Sequence, residues 1–508
     1  MHYSHRLFIF QVMPFIFSTS LAANTSALLI GFVTIGLVAM KYIFRNYPKF
    51  PSSKIGAYPV AALKGCRLKQ TGKNDFTVQF QVFYPCVEIE DKATQPPVYM
   101  RPKALEGLCK SVGNSKILKY FLNSILLDKP ASHLKNGLNQ NVSPLMCSKL
   151  NDTKVDLNSK SWPVVIFSHG LFGSLELYST ICTEIASQGF VVVALEHEDG
   201  SASYADKVSP EATAKNSENQ FLFSDEKDTS EHEESSTIPY KKPEGVTYSE
   251  KSSVVNFRKP FLHKRYGEIC DVIDGLVELA SSPCNEPSSS TSKEYSISDS
   301  TSWAKKCLKE VLVTTSLTED HDKSVILAGH SFGGSTVQFT MHQLINETTK
   351  RLKTNIKIQS LILLDTWVSP VPDEVLSQSF SRIPTLSIFC ETFVTWTPHK
   401  VTHELDGVEK MLKANQRSSM EDARFQCVAI RGTRHQFFSD VPYWIPQIIA
   451  KYANVSGDTD ISISRSCLEK LITKFLLKDQ APPIMELTEE ESSYVYHVDE
   501  KMLNAPVM

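Results

Sequence analysis

The chain has 508 residues, of which 42% are hydrophobic and 21% charged, a composition that suits a globular protein with a large core. Its formal net charge of −3 leaves no broad basic field, which excludes nucleic acid as a partner on bulk grounds. The 11 cysteines are odd in number, widely spaced and free of any C-x-x-C pair, which argues against a disulfide framework and against a zinc site.

Residues 1–50 read as a signal or membrane-anchor region. An apolar run from Leu7 to Phe17 follows Arg6, and the small residues Ser18 to Ala23 follow it as a signal-peptidase site would. A second apolar run, Ala27 to Phe44, is broken only by Lys41 and reaches the lower limit for a spanning helix. The expectation is membrane association through this segment, with secretion after cleavage as the alternative. Lys41, Arg45 and Lys49 would hold the large domain on the cytosolic side of an anchor. The sequons at Asn24, Asn141, Asn151, Asn346 and Asn454 matter only in the opposite case.

Residues 51–480 alternate strand and helix patterns. Phe76–Tyr84 alternates apolar and polar residues as an early antiparallel strand does. Short apolar runs at Val164–Ser168, Phe190–Leu195, Val325–Gly329, Ser360–Leu364, Thr385–Phe389 and Cys427–Ile430 suit buried parallel strands. Helical spacing falls between them at Leu175–Ser187, Tyr266–Ala280 and Ser335–Ile345. The pattern predicts a mostly parallel sheet with helices on both faces, and a site at the carboxyl ends of the strands. Residues 203–255 and 282–301 are rich in Ser, Glu, Asp and Lys and read as disordered insertions; residues 481–508 read as a loose acidic tail.

Gly329-His330-Ser331-Phe332-Gly333-Gly334 follows the apolar run Val325–Ala328 and precedes a helical stretch. This is G-x-S-x-G in the strand–turn–helix setting it requires. Side chains at Gly329 or Gly333 would collide with the neighbouring strand or helix, and a chance glycine turn is disfavoured when only 21 of 508 residues are Gly. The motif predicts an α/β-hydrolase fold with Ser331 as nucleophile. In that fold the acid and then the base follow the serine. Asp365 closes the apolar run Leu361–Leu364, and His435 lies after the last strand, so they are the candidate acid and base. His403 and His399 are weaker rivals, being without a preceding strand. Oxyanion donors are expected at the backbone N–H of Phe332 and of Leu171, on the loop Ser168–Gly173, where Gly170 lets the backbone approach substrate. His169 reads as a loop brace. No cofactor and no metal is expected.

These residues resemble the plasma and type II platelet-activating factor acetylhydrolases, the group VII phospholipases A2. The similarity runs from about Gly56 to Lys451 and rests on GAYPV (56–60), VVIFSHGL (164–171), LYSTICTEIASQGFVVVALEH (177–197), GHSFGG (329–334), LLDTW (363–367) and IRGTRHQFFSD (430–440). The resemblance places nucleophile, acid and base on Ser331, Asp365 and His435, and the oxyanion donors on Leu171 and Phe332. It implies calcium-independent hydrolysis of a phospholipid whose sn-2 chain is short or oxidised, and contact with a membrane surface. The family commonly carries Arg where this chain has Glu198. Ile117–Leu127 resembles the family's interfacial helix, with packing on the core as the competing reading. Asp440–Lys451, with Tyr443 and Trp444, is a second interfacial candidate. A broader carboxylesterase or lipase, and a catalytically silent membrane-bound interaction protein, are the competing functions.

Overall fold

The computed structural model describes residues 42–51, 56–70, 78–88, 95–111, 115–145, 161–206, 237–282, 295–297, 302–318, 323–346, 351–378, 380, 383–395, 403–416, 425–477, 486–499 and 503. Leu7–Phe17 and nearly all of Ala27–Phe44 lie outside them, as do His399, residues 207–236 of the first predicted insertion and most of the second. Among the described residues no helix is long and apolar enough to cross a membrane.

Runs of Val, Ile, Leu and Ala form the six parallel strands close to where sequence periodicity predicts them, and the first and last strands below are additions to that expectation. The strands are β1 (Val60–Cys66), β2 (Gln79–Glu88), β3 (Val164–Ser168), β4 (Val191–Glu196), β5 (Ser324–His330), β6 (Lys357–Leu364), β7 (Thr385–Cys390), β8 (Phe425–Ile430) and β9 (Val495–His497). Across the sheet they stand β9-β8-β7-β6-β5-β3-β4-β2-β1. Strands β3 to β8 are mutually parallel, while β1, β2 and β9 are antiparallel extensions at the two edges. Every residue of β3, β4 and β7 is buried, as a sheet covered on both faces demands. The chain leaves β3 for β4 on one side and returns to β5 on the other. That reversal opens a crevice at the carboxyl ends of β3 and β5.

Helices cover the sheet: α1 (Lys116–Leu126), α2 (Ser179–Ser187), α3 (Lys251–Ser281), α4 (Phe332–Asn346) and α5 (Ile461–Leu477). Helix α3 starts 15 residues before the predicted Tyr266 and runs through Pro260. Its buried face includes Val254, Arg258, Phe261, Leu262 and Arg265, and the two arginines interrupt the apolar periodicity that would announce it. The first predicted insertion is closed at its base, where Tyr204–Asp206 pairs antiparallel with Thr237–Pro239.

Two expectations are corrected. The acidic tail is not loose over 486–499. Thr488 caps a short helix (Glu489–Tyr494) through a capping box with Glu491, and β9 then adds to the edge of β8. The acidic run Glu489-Glu490-Glu491 is the favoured first turn of a helix, not a solvated tail. Tyr443 and Trp444 are not interfacial either: both are buried, and the Trp444 indole N–H donates to Tyr99 Oη at 3.1 Å. Helix α1 packs on the core, as the competing reading expects, and leaves two large apolar side chains exposed. Leu122, Ile125 and Leu126 face the core, while Ile117 and Tyr120 are 51% and 54% exposed.

Glu491 also pairs with Lys470 at 2.7 Å. Burial opposes its ionisation, but hydrogen bonds from Lys470, Ser466 and the Thr488 backbone override it and hold the carboxyl at about 2. Glu491→Ala removes half the capping box and leaves Lys470 without its carboxylate. We expect a loss of about 2 kcal/mol, read by denaturant unfolding, while Glu490→Ala stays near wild type. Equal stabilities of the two variants would contradict this role.

Candidate active site

The turn from β5 into α4 carries Ser331 at φ 56°, in the left-handed region that L side chains rarely adopt. Backbone contacts explain the glycines on either side. A Cβ on Gly333 would lie 1.9 Å from the Ser168 carbonyl oxygen, and one on Gly329 would lie 2.3 Å from that of Gly333. The nucleophile turn thus presses directly on the end of β3. Gly170, on the β3 loop, approaches the Ser331 Cβ closely enough that a side chain there would meet it at 3.0 Å.

The sequence-predicted residues come together. The Ser331 hydroxyl lies 3.0 Å from His435 Nε2, and His435 Nδ1–H donates to Asp365 Oδ2 at 2.5 Å. Asp365 is fully buried at the carboxyl end of β6, and His435 is partly open at 37% side-chain exposure. Asp365 also has positive φ, as does Phe172 in the loop after β3. Among the described residues only five non-glycine residues take positive φ, and three of them are Ser331, Asp365 and Phe172. Backbone strain of roughly 1–3 kcal/mol per residue is therefore concentrated at one place. His403 lies elsewhere, at the start of the helix Glu404–Gln416 and near Lys251 and Asp373.

Spacing along the chain did not reveal several partners of these residues. Cys390, the last residue of β7, donates its N–H to Asp365 Oδ1 at 2.9 Å and its S–H to Oδ2 at 3.1 Å. Burial and the adjacent carboxylate push this thiol well above its usual range, so it stays protonated and donates. His330 bridges two loops. Its Nε2–H donates to the His435 carbonyl at 3.1 Å, and its Nδ1 accepts from the Tyr178 hydroxyl at 3.0 Å. Tyr178 Oη in turn accepts the Gly170 N–H at 3.1 Å. Burial first, and then the neighbouring His435, hold His330 well below the usual imidazole range, which matches the neutral form this network needs. His330, Asp365 and His435 also bring one donor atom each within 4.8 Å, a spacing a metal would accept. Hydrogen bonds occupy both ring nitrogens of His330 and Nδ1 of His435.

The loop after β3 is held from below. Arg265 is buried and donates to the His169 carbonyl at 2.8 Å, to Thr336 Oγ1 at 3.2 Å and to the Ser201 hydroxyl, while its Nε pairs with Asp199 at 2.7 Å. The Ser201 carbonyl accepts the Phe172 N–H at 2.9 Å. His169 braces the loop as expected, with Nδ1–H on the Gly170 carbonyl at 2.7 Å and Nε2 accepting the His197 N–H at 3.1 Å. Gly170, Phe172 and Gly173 all spend their N–H groups inside this framework. That leaves the Leu171 N–H as the loop donor with no hydrogen bond to this framework among the described residues.

Asp440 fastens the His435 loop. It accepts the backbone N–H groups of Ser179 and Thr180, both at 3.0 Å, and both their hydroxyls at 2.5 Å. It thus caps α2 with a carboxylate at the positive end of the helix dipole. Glu198 pairs with Arg67 at 3.1 Å.

The model of the family described as platelet-activating factor acetylhydrolase, isoform II, matches residues 43–482. Among relatives, the platelet-activating factor acetylhydrolase of Gallus gallus is 28% identical over 304 residues, 59% of this chain and 58% of that protein. The Canis lupus familiaris protein of the same name is 24% identical over 320 residues, 63% of this chain and 57% of that one. That of Cavia porcellus is 27% identical over 421 residues, 82% of this chain and 75% of that protein. The chain thus spans under two thirds of the length of the first two.

Gly333→Ala tests the close approach of the nucleophile turn to β3. The added methyl forces β3 and α4 apart, so we expect a lower thermal midpoint and loss of labelling by a fluorophosphonate. A variant with wild-type midpoint and labelling would show that the turn has room to spare.

Proposed function

The chain belongs to the platelet-activating factor acetylhydrolase, isoform II, family, and from that premise we propose a serine-dependent ester hydrolase acting at the sn-2 position of phospholipids with short or oxidised acyl chains. The observation that carries the reading is the continuous hydrogen-bond path from Ser331 through His435 to buried Asp365.

In this mechanism His435 Nε2 takes the Ser331 proton as Oγ attacks the sn-2 carbonyl carbon. Asp365 holds the imidazole tautomer and stabilises the imidazolium that forms, itself fixed by both donors of Cys390. The carbonyl oxygen becomes an oxyanion at the N–H groups of Leu171 and Phe332. Collapse breaks the ester bond, and His435 returns its proton to the leaving lysophospholipid oxygen. Water, deprotonated by His435, then attacks the acyl-serine and releases acetate or another short acid. The exposed Ile117 and Tyr120 of α1 supply a surface for lipid contact, which supports a phospholipid over a freely soluble ester. A broader carboxylesterase on the same triad is the competing reading.

Ser331→Ala should lower kcat roughly a million-fold and abolish fluorophosphonate labelling; label that persists on the variant refutes the assignment. Acetate release from a 2-acetyl phospholipid should far exceed acid release from a long-chain diacyl lipid. Equal rates on both, and on an aryl ester, would favour the carboxylesterase. Replacing Ile117 and Tyr120 by Glu should weaken binding to phosphatidylcholine vesicles without lowering aryl-ester turnover, and unchanged vesicle binding would rule α1 out as the contact surface.

A further inference from the structure

Helix α3 presents two buried arginines to the site, seven residues apart on one face, and they are treated in opposite ways. Arg265 meets a carboxylate, a carbonyl and three hydroxyls, those of Ser168, Ser201 and Thr336. Arg258 is 1% exposed, yet its Nε and Nη1 have no hydrogen-bond partner among the described residues. Nη2 donates to Tyr240 Oη at 3.1 Å, and the guanidinium also hydrogen-bonds the Tyr248 hydroxyl, so its partners among the described residues are neutral phenols. No carboxylate pairs with it among the described residues. A buried guanidinium in this state has given up its water without receiving a counter-charge.

What surrounds it instead is aromatic. The guanidinium carbon lies 4.7 Å from the Phe257 ring centroid, 5.1 Å from Phe261, 5.7 Å from Phe332 and 5.9 Å from Trp367. Ring faces attract a cation without neutralising it, and the open N–H donors stay open. Two of those rings are carried by residues whose backbone adjoins Ser331. Phe332 follows the nucleophile, and Trp367 stands two residues after Asp365 and donates its N–H to the Ser331 carbonyl at 3.1 Å. Tyr240 stacks at 4.0 Å on Phe172, in the strained loop beside Leu171. Phe172, Tyr240 and Trp367 are each partly exposed, unlike Arg258 itself.

We propose that Arg258 is the anion anchor of the substrate site and takes the phosphodiester of the phospholipid whose sn-2 ester faces Ser331. In a glycerophospholipid only a few bonds separate that ester from the phosphate. An anion held beside Phe332 and Trp367 therefore sets the ester over the nucleophile. A guanidinium is the side chain best suited to phosphate oxygens. The inference rests on the function proposed above, and two independent measurements separate its failure from the failure of that function.

The first compares two substrates that share an sn-2 acetate, 1-alkyl-2-acetylglycerophosphocholine and 1-alkyl-2-acetylglycerol, on the full chain and on Arg258→Met. The kcat/KM ratio of phospholipid to neutral ester should fall at least tenfold in the variant. A ratio that does not move, whether both rates drop together or neither does, overturns the anchor. Arg258→Lys, which keeps a cation but loses the fork, reads the same ratio should the Met variant fold poorly.

The second measurement needs no catalysis. Octyl phosphate should raise the thermal midpoint of the wild-type protein more than octanol does, and the difference should vanish in Arg258→Met and shrink in Arg258→Lys. If wild type cleaves neither ester yet octyl phosphate binds through Arg258, the esterase reading falls and the anion site stands. If ester hydrolysis is robust and neither measurement depends on Arg258, the anchor falls and the esterase stands.

Discussion

The whole site depends on how closely the turn at Ser331 packs against the end of β3. The Ser168 carbonyl fills the space that any side chain at position 333 would need, and the Gly333 carbonyl fills the space at position 329. Close packing of two backbones leaves no room for a side chain at either glycine and so restricts how Ser331 sits above the sheet. It also couples the nucleophile to the very loop that carries the Leu171 N–H, because that loop leaves β3 one residue later. Ser331 and the loop that bears Leu171 are thus held together by a contact between backbones, which no rotamer change can loosen.

That arrangement is strained, and the surrounding network opposes its relaxation. Phe172, Ser331 and Asp365 are all held in the left-handed region. Arg265 grips the carbonyl of His169 and the hydroxyl of Ser201, and Asp199 supplies its counter-charge. Burial alone would raise the Asp199 carboxyl, but Arg265 and Ser201 together hold it below its ordinary value, so the pair stays ionised. On the opposite side, the path from Gly170 through Tyr178 and His330 to the His435 carbonyl ties the oxyanion loop to the base loop. A displacement of either loop breaks hydrogen bonds in both. Such coupling favours concerted opening over independent fluctuation of the two loops.

Much of this could be read from the chain, and the missing part has a consistent physical cause. Parallel strands buried on both faces leave unbroken apolar runs, so β3 to β8 were visible, and Ser331, Asp365 and His435 could be assigned from their places after β5, β6 and β8. Cys390, Tyr178, Asp440 and Arg265 were not visible. Each acts on the site from a different element, and the contact exists only once the sheet is assembled. Helix α3 was half visible because its buried face carries arginines, which periodicity reads as solvent positions. The tail was misread for the same reason in reverse. Three glutamates in a row signal solvent in a count of charges, yet after Thr488 they are the first turn of a capped helix.

The departure at Glu198 follows the same logic of local pairing. The Glu198 carboxylate would repel its neighbours Asp199 and Glu268 if it stood alone. Here Arg67, itself buried, meets it at 3.1 Å, and Lys264 reaches the Glu198 carbonyl. The Glu198 N–H donates to Glu268 Oε1 at 3.1 Å, and Glu268 Oε2 pairs with His197, whose Nε2 meets Ser168 Oγ at 2.8 Å. The backbone of position 198 therefore belongs to the support beneath β3 whatever its side chain, while the side chain answers to β1's neighbour Arg67. A change of sign there alters which outer residue closes the ion pair and leaves the inner chain of hydrogen bonds intact.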